Sequence, residues 1–427
     1  MHKWICAGAL GLGLAAAAPA LAAVDPDELA ELKRQVAALA ARVEALEAEN
    51  ARLAGAAPAA PAVAAAPVAS APAVPVAAAA APAGWFARLR TDGDLRYRHD
   101  HVEDEGRPDR DRQRIRARLG LTADLGESLT AGLRLATGDA TNPRSTNVTF
   151  GDSNQRKDVG LDLAYVAWRA RPDLVLTLGK QAYPWLRASG SMLYDSDVNP
   201  EGLALAWGGR TGPFLNAWAL WLQEQGAGAD ANLVGAQLGW SGAGGLTLAA
   251  SYHDYGAMQG SSFGYSGYPA GNTTFAGDAG CNLPAPATGA LRCLAYDYDI
   301  LGLTAQYATR LGRLPLVLWA EYLENLEAPG DDSGYSVGAT LGRARDPGSW
   351  ELRLMYQDVG ADAQWGGMTD SNFGGGATQA RGVLIRGGYV PAKNLVLNLS
   401  LFENSRDYDR PGERDFRLLQ LDLNLRF

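Results

Sequence analysis

Arginine recurs at every second position of DRQRIRARLGL, residues 111–121: Arg112, Arg114, Arg116 and Arg118, separated by Gln113, Ile115 and Ala117. A guanidinium stays charged at any ordinary pH, so its chemistry is to bind and steer anions through forked N–H donors. An extended strand turns alternate side chains to one face, so this spacing sets four such groups in a row. No catalytic set accompanies them. Only four histidines occur, and His99, His101 and His253 read as rim or loop residues. The Gly374-Gly375-Gly376 run lacks the strand–loop–helix setting of a phosphate loop. The reading is non-enzymatic, with no cofactor and no metal. A formal charge of −9 weighs against a nucleic-acid partner, which asks for a basic excess.

The element that must carry such a row is a strand. From Trp85 onward the chain alternates with period two. In FRLLQLDLNLRF, Leu419, Leu421, Leu423, Leu425 and Phe427 share one face, and Leu418, Gln420, Asp422, Asn424 and Arg426 share the other. About sixteen such segments can be placed, at 86–100, 111–125, 128–140, 158–171, 174–183, 200–211, 213–225, 230–242, 244–258, 297–311, 314–327, 332–346, 349–359, 380–391, 393–405 and 413–427. Most are ten to fifteen residues long, the length of a tilted membrane-crossing strand with some overhang. Long and short connections alternate between them, as in an up-and-down barrel with tight turns at one end and loops at the other. The predicted fold is all-β: an antiparallel transmembrane barrel of about sixteen strands over 85–427. Aromatics near strand ends, among them Trp168, Trp207, Trp240 and Trp350, suit interfacial girdles.

The front of the chain is organised differently. Residues 1–22 read as a secretory signal peptide, with an apolar run from Ile5 to Leu14 and a cleavage site at Ala20-Leu21-Ala22. In 27–53 the residues Leu29, Leu32, Val36, Leu39, Val43, Leu46, Asn50 and Leu53 follow a strict heptad, which predicts a short α-helical coiled coil. Residues 54–83 are Ala, Pro and Val almost throughout, with six prolines that favour an extended linker. Cys281 and Cys293, in the long connection 259–296, predict a loop-closing disulfide in an oxidising compartment.

The chain resembles the putative porin family of Gram-negative outer membranes. The resemblance is carried by RIRARLGL at 114–121, GLRLATG at 132–138, RSTN at 144–147, LDLAYVAW at 161–168, LTLGK at 176–180 and DSDVNPEG at 195–202. It departs where relatives place an Asn-Pro-Phe-type sequence, since this chain has GKQAYPWLR at 179–187. The resemblance implies an outer-membrane porin giving passive passage to small hydrophilic solutes or ions. It also implies a homotrimer in contact with outer-membrane lipid. Phe427 matches the C-terminal insertion signal read by the barrel-assembly machinery. The coiled coil would lie in the periplasm. There it would support the oligomer or, on an alternative reading, tether the outer membrane to peptidoglycan or another envelope layer.

A charge on the lipid face is costly near the midplane, which orients the arginines. Arg112, Arg114, Arg116 and Arg118 should face the lumen, together with Arg90, Arg96 and Arg98 on the preceding strand and Arg134 on the following one. Asp195 and Asp197, in the third long connection at 184–199, are the candidate constriction loop facing this wall. The competing expectation is that the arginines only pair with Asp92, Asp94, Asp124 and Asp162 as filler.

Overall fold

The computed structural model describes residues 88–225, 229–261, 270–276 and 292–427. The expected signal peptide, coiled coil and linker lie outside the described residues, as do Trp85, Phe86 and Cys281. The strands, in chain order, are β1 (Leu89–Asp104), β2 (Arg110–Asp124), β3 (Leu129–Thr137), β4 (Val148–Thr149), β5 (Val159–Arg171), β6 (Leu174–Lys180), β7 (Glu201–Gly208), β8 (Gly212–Gln223), β9 (Ala231–Ser241) and β10 (Leu246–Gly256). They continue with β11 (Thr274–Ala276), β12 (Arg292–Leu294), β13 (Tyr298–Leu311), β14 (Leu314–Asn325), β15 (Ser333–Gly342), β16 (Trp350–Val359), β17 (Ala380–Ala392), β18 (Leu395–Arg406) and β19 (Arg414–Arg426). Sixteen of these, all but the short β4, β11 and β12, pair antiparallel in sequence order. β19 then pairs with β1 over Asp94–Asp104 and closes the barrel. No sheet edge is left in the barrel, which is what lets strands cross a membrane with every backbone group satisfied.

Each of the sixteen segments expected from alternation has its strand. The clearest departure is at 343–349, a seven-residue turn where alternation predicted two residues. β15 stops at Gly342, whose φ of 81° takes the chain out of the extended region. Alternation also assigns the faces. On β19, Leu421, Leu423 and Leu425 are exposed while Gln420, Asp422 and Asn424 are buried. Trp168, Trp240, Trp350 and Phe427 join the exposed apolar band, which would be a severe liability in water and is matched by lipid.

The interior corrects one expectation. It is polar along β2 and at Gln420, Asp422 and Asn424 of β19 but apolar where loops dock, including a second cluster that takes in Phe416 and Leu418 of β19 with Phe373 of the connection after β16. Trp218 and Leu220 of β8, Leu233 of β9, Tyr255 of β10, Ile300 of β13 and Leu323 of β14 form a buried cluster with Trp185, Leu193, Tyr194, Trp365 and Met368 from two connections. His253, expected at a rim, lies on β10 inside this cluster, with its ring 4.8 Å from Trp185 and 4.9 Å from Trp218. Two loops have thus folded inward and give the inner wall an apolar surface to cover. Cys293, on β12, is disulfide-bonded.

Candidate functional site

The β1–β2 hairpin fixes the arginine wall. Its register sets Asp94 opposite Arg118, Arg96 opposite Arg116, Arg98 opposite Arg114 and Asp100 opposite Arg112. Each carboxylate therefore ends a row of guanidinium groups. Asp94 takes Arg116 Nη2 and Arg118 Nε at 2.7 Å each. Asp100 lies 3.0 Å from Arg112, 3.6 Å from Arg114 and 3.9 Å from Arg98. Across the closing seam, Asp422 of β19 accepts both Nε and Nη2 of Arg98, at 2.6 and 2.9 Å. Arg96 donates to Asn424 at 2.8 Å.

These contacts amend the sequence reading in two respects. The acids that hold the upper arginines are Asp100 and Asp422, on the strands themselves, rather than a facing loop. Of the four acids expected as partners, Asp94 holds Arg116 and Arg118, Asp124 holds Arg90 and Asp162 holds Arg134. Asp92 instead lies over Gly120, its carboxylate filling the space a side chain there would occupy. Arg90 is two-thirds exposed, near the turn after β2, away from the rest of the row.

The connection between β6 and β7, residues 181–200, lies inside the barrel. Its backbone is held by side chains from the far wall. Gln237 of β9 accepts the Leu186 amide at 2.7 Å and returns a bond to the Leu186 carbonyl at 2.9 Å. Gln306 of β13 accepts the Ser189 amide at 3.1 Å, and Gln357 of β16 the Met192 amide at 3.1 Å. At its downstream end Asp197 lies 3.7 Å from Arg118 and accepts from Thr146 N and Oγ1 at 3.1 and 3.0 Å. Asn199 donates to Asp162 at 2.7 Å.

Asp195 does not meet the wall. It is buried and accepts the amides of Asp197 and Ser371, both at 2.8 Å. Ser371 belongs to the connection 360–379, which also folds inward and which the sequence reading left as an ordinary outer loop. Met368 accepts the Asp195 amide at 2.7 Å, and Gln364 donates to the Leu193 carbonyl. Arg144 donates to the carbonyls of Gly366 and Gly376 at 3.1 and 2.6 Å. The glycine run serves this fold: Gly374, Gly375 and Gly376 all have φ between 55 and 88°, a left-handed path that side chains resist. Burial first, then the carboxylates of Asp370 and Asp197, push the Asp195 carboxyl well above the ordinary aspartate range. Burial raises Asp370 in the same way.

Between the wall and the two loops a cavity of about 430 Å³ stays open. Arg96, Arg98 and Arg116 line it from β1 and β2, and Asp195, Asp197 and Asp370 from the loops. Arg187 of the 181–200 connection also lines it, and Arg353 of β16 and Arg386 of β17, which the sequence reading missed, extend its basic side. Each sits at an inward position of its strand, the one signal that could have found them. Of the eight arginines expected in the lumen, Arg112, Arg114, Arg118, Arg134 and Arg90 lie outside this lining.

A family model described as putative porin matches residues 102–279 and 270–427. The chain belongs to the putative porin family. Porin barrels are also found among similar solved structures. The chain is 13% identical to Pseudomonas putida OprB in its high-pH structure, with a TM-score of 0.53 over 80% of this chain and 95% of that one. A Rhodopseudomonas blastica porin triple mutant is 13% identical, with a TM-score of 0.45 over 79% of this chain and 100% of that one. No curated protein matches. Family and closed barrel together make this a channel-forming porin of the outer membrane, and point to a channel rather than an enzyme.

Proposed function

We propose that this porin is a water-filled channel for passive diffusion of small hydrophilic solutes or ions, with the arginines of β1–β3 lining one side of its lumen. The observation that carries this reading is the in-folded connection 181–200. It leaves a polar cavity beside Arg96, Arg98 and Arg116. Fixed charges around a narrow passage tune which ions enter. The working unit is a homotrimer in outer-membrane lipid. Phe427 is the insertion signal presented to the barrel-assembly machinery. The signal peptide 1–22 directs export, and the coiled coil 27–53 stands in the periplasm and supports the trimer. Purified protein in a planar bilayer should give discrete, long-lived conductance steps in potassium chloride. A protein that inserts and gives no steps would overturn the reading.

A further inference from the structure

The two basic sides of the cavity differ in how their charge is met. On the β1–β2 side every row ends in a carboxylate, as described above. On the β16–β17 side Arg353 and Arg386 are direct cross-strand partners. Like charges set opposite one another in a ladder repel, so such a pair needs an anion near it. Among the described residues the only carboxylate paired with Arg353 is Glu351, at 3.6 Å and on its own strand. The Arg353 Nε is buried with no hydrogen-bond partner. Arg386 has no ion pair among the described residues. Following the register onward, Arg386 meets Ser400 of β18, and Ser400 meets Gln420 of β19, so the neighbouring rungs are neutral. The register next reaches Asp100 of β1, which Arg112 and Arg114 already hold, while Arg96, earlier on the same strand and also lining the cavity, has the Asn424 amide as its hydrogen-bond acceptor and no carboxylate in ion-pair range.

The loop side does not supply the missing charge. Asp197 is engaged by Thr146 and Arg118. Asp195 accepts loop amides, and Asp370 accepts the amides of Asn372 and Phe373 at 2.8 and 3.2 Å. Three guanidinium groups from three strands thus line one cavity, and among the described residues Glu351 is the only carboxylate in ion-pair range of any of them. The cavity, about 430 Å³, has the size of a small-solute pocket. Guanidinium forks match the paired oxygens of a carboxylate or phosphate.

We propose that Arg353, Arg386 and Arg96 form an oxyanion-binding subsite in the lumen, which takes the carboxylate or phosphate group of a permeating solute and makes the channel prefer anions. The proposal rests on the channel reading and goes beyond it in naming the solute class. It also separates this subsite from the other arginines of the β1–β2 wall, whose charge is largely matched by their own acids.

The test uses the full chain in planar bilayers. Reversal potentials in a potassium chloride gradient should show chloride favoured over potassium. Inorganic phosphate or acetate added to one side should reduce the chloride current in a saturable way. Block by acetate alone marks a carboxylate site, block by phosphate alone a phosphate site, and block by both the shared chemistry. Arg353→Gln with Arg386→Gln should weaken that block about tenfold, the loss expected for charge-assisted hydrogen bonds, and shift the reversal potential toward potassium. An unchanged block and reversal potential in a conducting double variant would overturn the proposal while leaving the channel reading intact. If that variant gives no channels, Arg353→Lys with Arg386→Lys decides. Charge is kept and the fork lost, so anion preference should persist with a weaker block, and an unchanged block overturns the subsite. A wild-type protein without conductance would instead overturn the channel reading.

Discussion

Arg98 of the first barrel strand and Asp422 of the last lie directly opposite one another, joined by two hydrogen bonds of 2.6 and 2.9 Å across the seam that closes the barrel. The pair serves both closure and charge. It adds a side-chain clasp to the backbone ladder, and it neutralises one of the arginines lining the cavity. Asp422→Asn leaves Arg98 buried with only the more distant Asp100, at 3.9 Å, as countercharge. The expected cost is about 3 kcal/mol, the low end for breaking a buried ion pair. It should appear as a lower unfolding midpoint in urea, and an unchanged midpoint would show the clasp to be idle.

Arg114 and Arg116 both lean on carboxylates, Asp100 and Asp94 respectively. Replacing both by alanine removes two positive charges and leaves those acids to their remaining arginines. The reversal potential in a salt gradient should move toward potassium, with the channel still open. Absence of any shift would leave the row with a bracing role only.

Gly190, in the in-folded connection, has no room for a side chain. A β-carbon there would come within 2.1 Å of the Trp319 ring. Gly190→Val must push the loop off the β14 wall. The expected loss is about 1–3 kcal/mol, as for other overpacked sites, with noisier single-channel currents. A quiet, unaltered current would mean that the loop does not gate the opening.

The contact between Asp195 and the 360–379 connection should depend on pH. The carboxyls of Asp195 and Asp370 are both raised above their ordinary range in the docked state, chiefly by burial. Asp197 faces them, and Arg98 and Arg116 share the cavity. The docked state therefore holds protons more tightly than an undocked one. Its stabilisation is present at low pH and is lost as pH rises through the raised values. Tryptophan fluorescence from Trp185 and Trp365, followed against pH, should show loosening toward alkaline pH. Asp195→Asn should flatten that dependence.

Removal of residues 24–84 separates the two readings of the coiled coil. If it supports the trimer, the shortened protein should run as monomer in mild detergent. If it tethers the envelope, trimers and conductance should persist while cells expressing it shed outer membrane.

Much of the barrel could be read from the sequence because a strand between lipid and water must alternate. Leu421, Leu423 and Leu425 against Gln420, Asp422 and Asn424 is that constraint written out. The β1–β2 pairing followed from their being neighbours in an up-and-down barrel, and Arg96, Arg98, Asp94 and the Arg112–Arg118 row meet as a hairpin requires. What stayed hidden depends on closure. Asp422 and Arg98 are 324 residues apart, and only the β1–β19 seam makes them neighbours. Arg353 is the one arginine of β16, and Arg386 shares β17 only with Arg381 on the opposite face, without the repetition that exposes the β2 row. The inward path of 360–379 was masked for another reason. Gly-rich composition reads equally as a solvent-facing loop and as a chain threaded through tight space. Likewise Trp218, Leu220 and Leu233 sit at inward positions that alternation marks as polar, because a folded-in loop supplies the apolar partner.

Gln237, Gln306 and Gln357 grip the in-folded loop with uncharged amides. Groups that neither titrate nor respond strongly to salt therefore help set the gauge of the passage, whereas the preference among solutes resides in the arginines and their acids. Dimension and discrimination are thus carried largely by separate sets of residues, which meet at Asp197, where the loop is anchored beside Arg118. An arginine can be exchanged without resizing the opening, and a glutamine without retuning its charge, so a lineage of such channels can change cargo while keeping one bore.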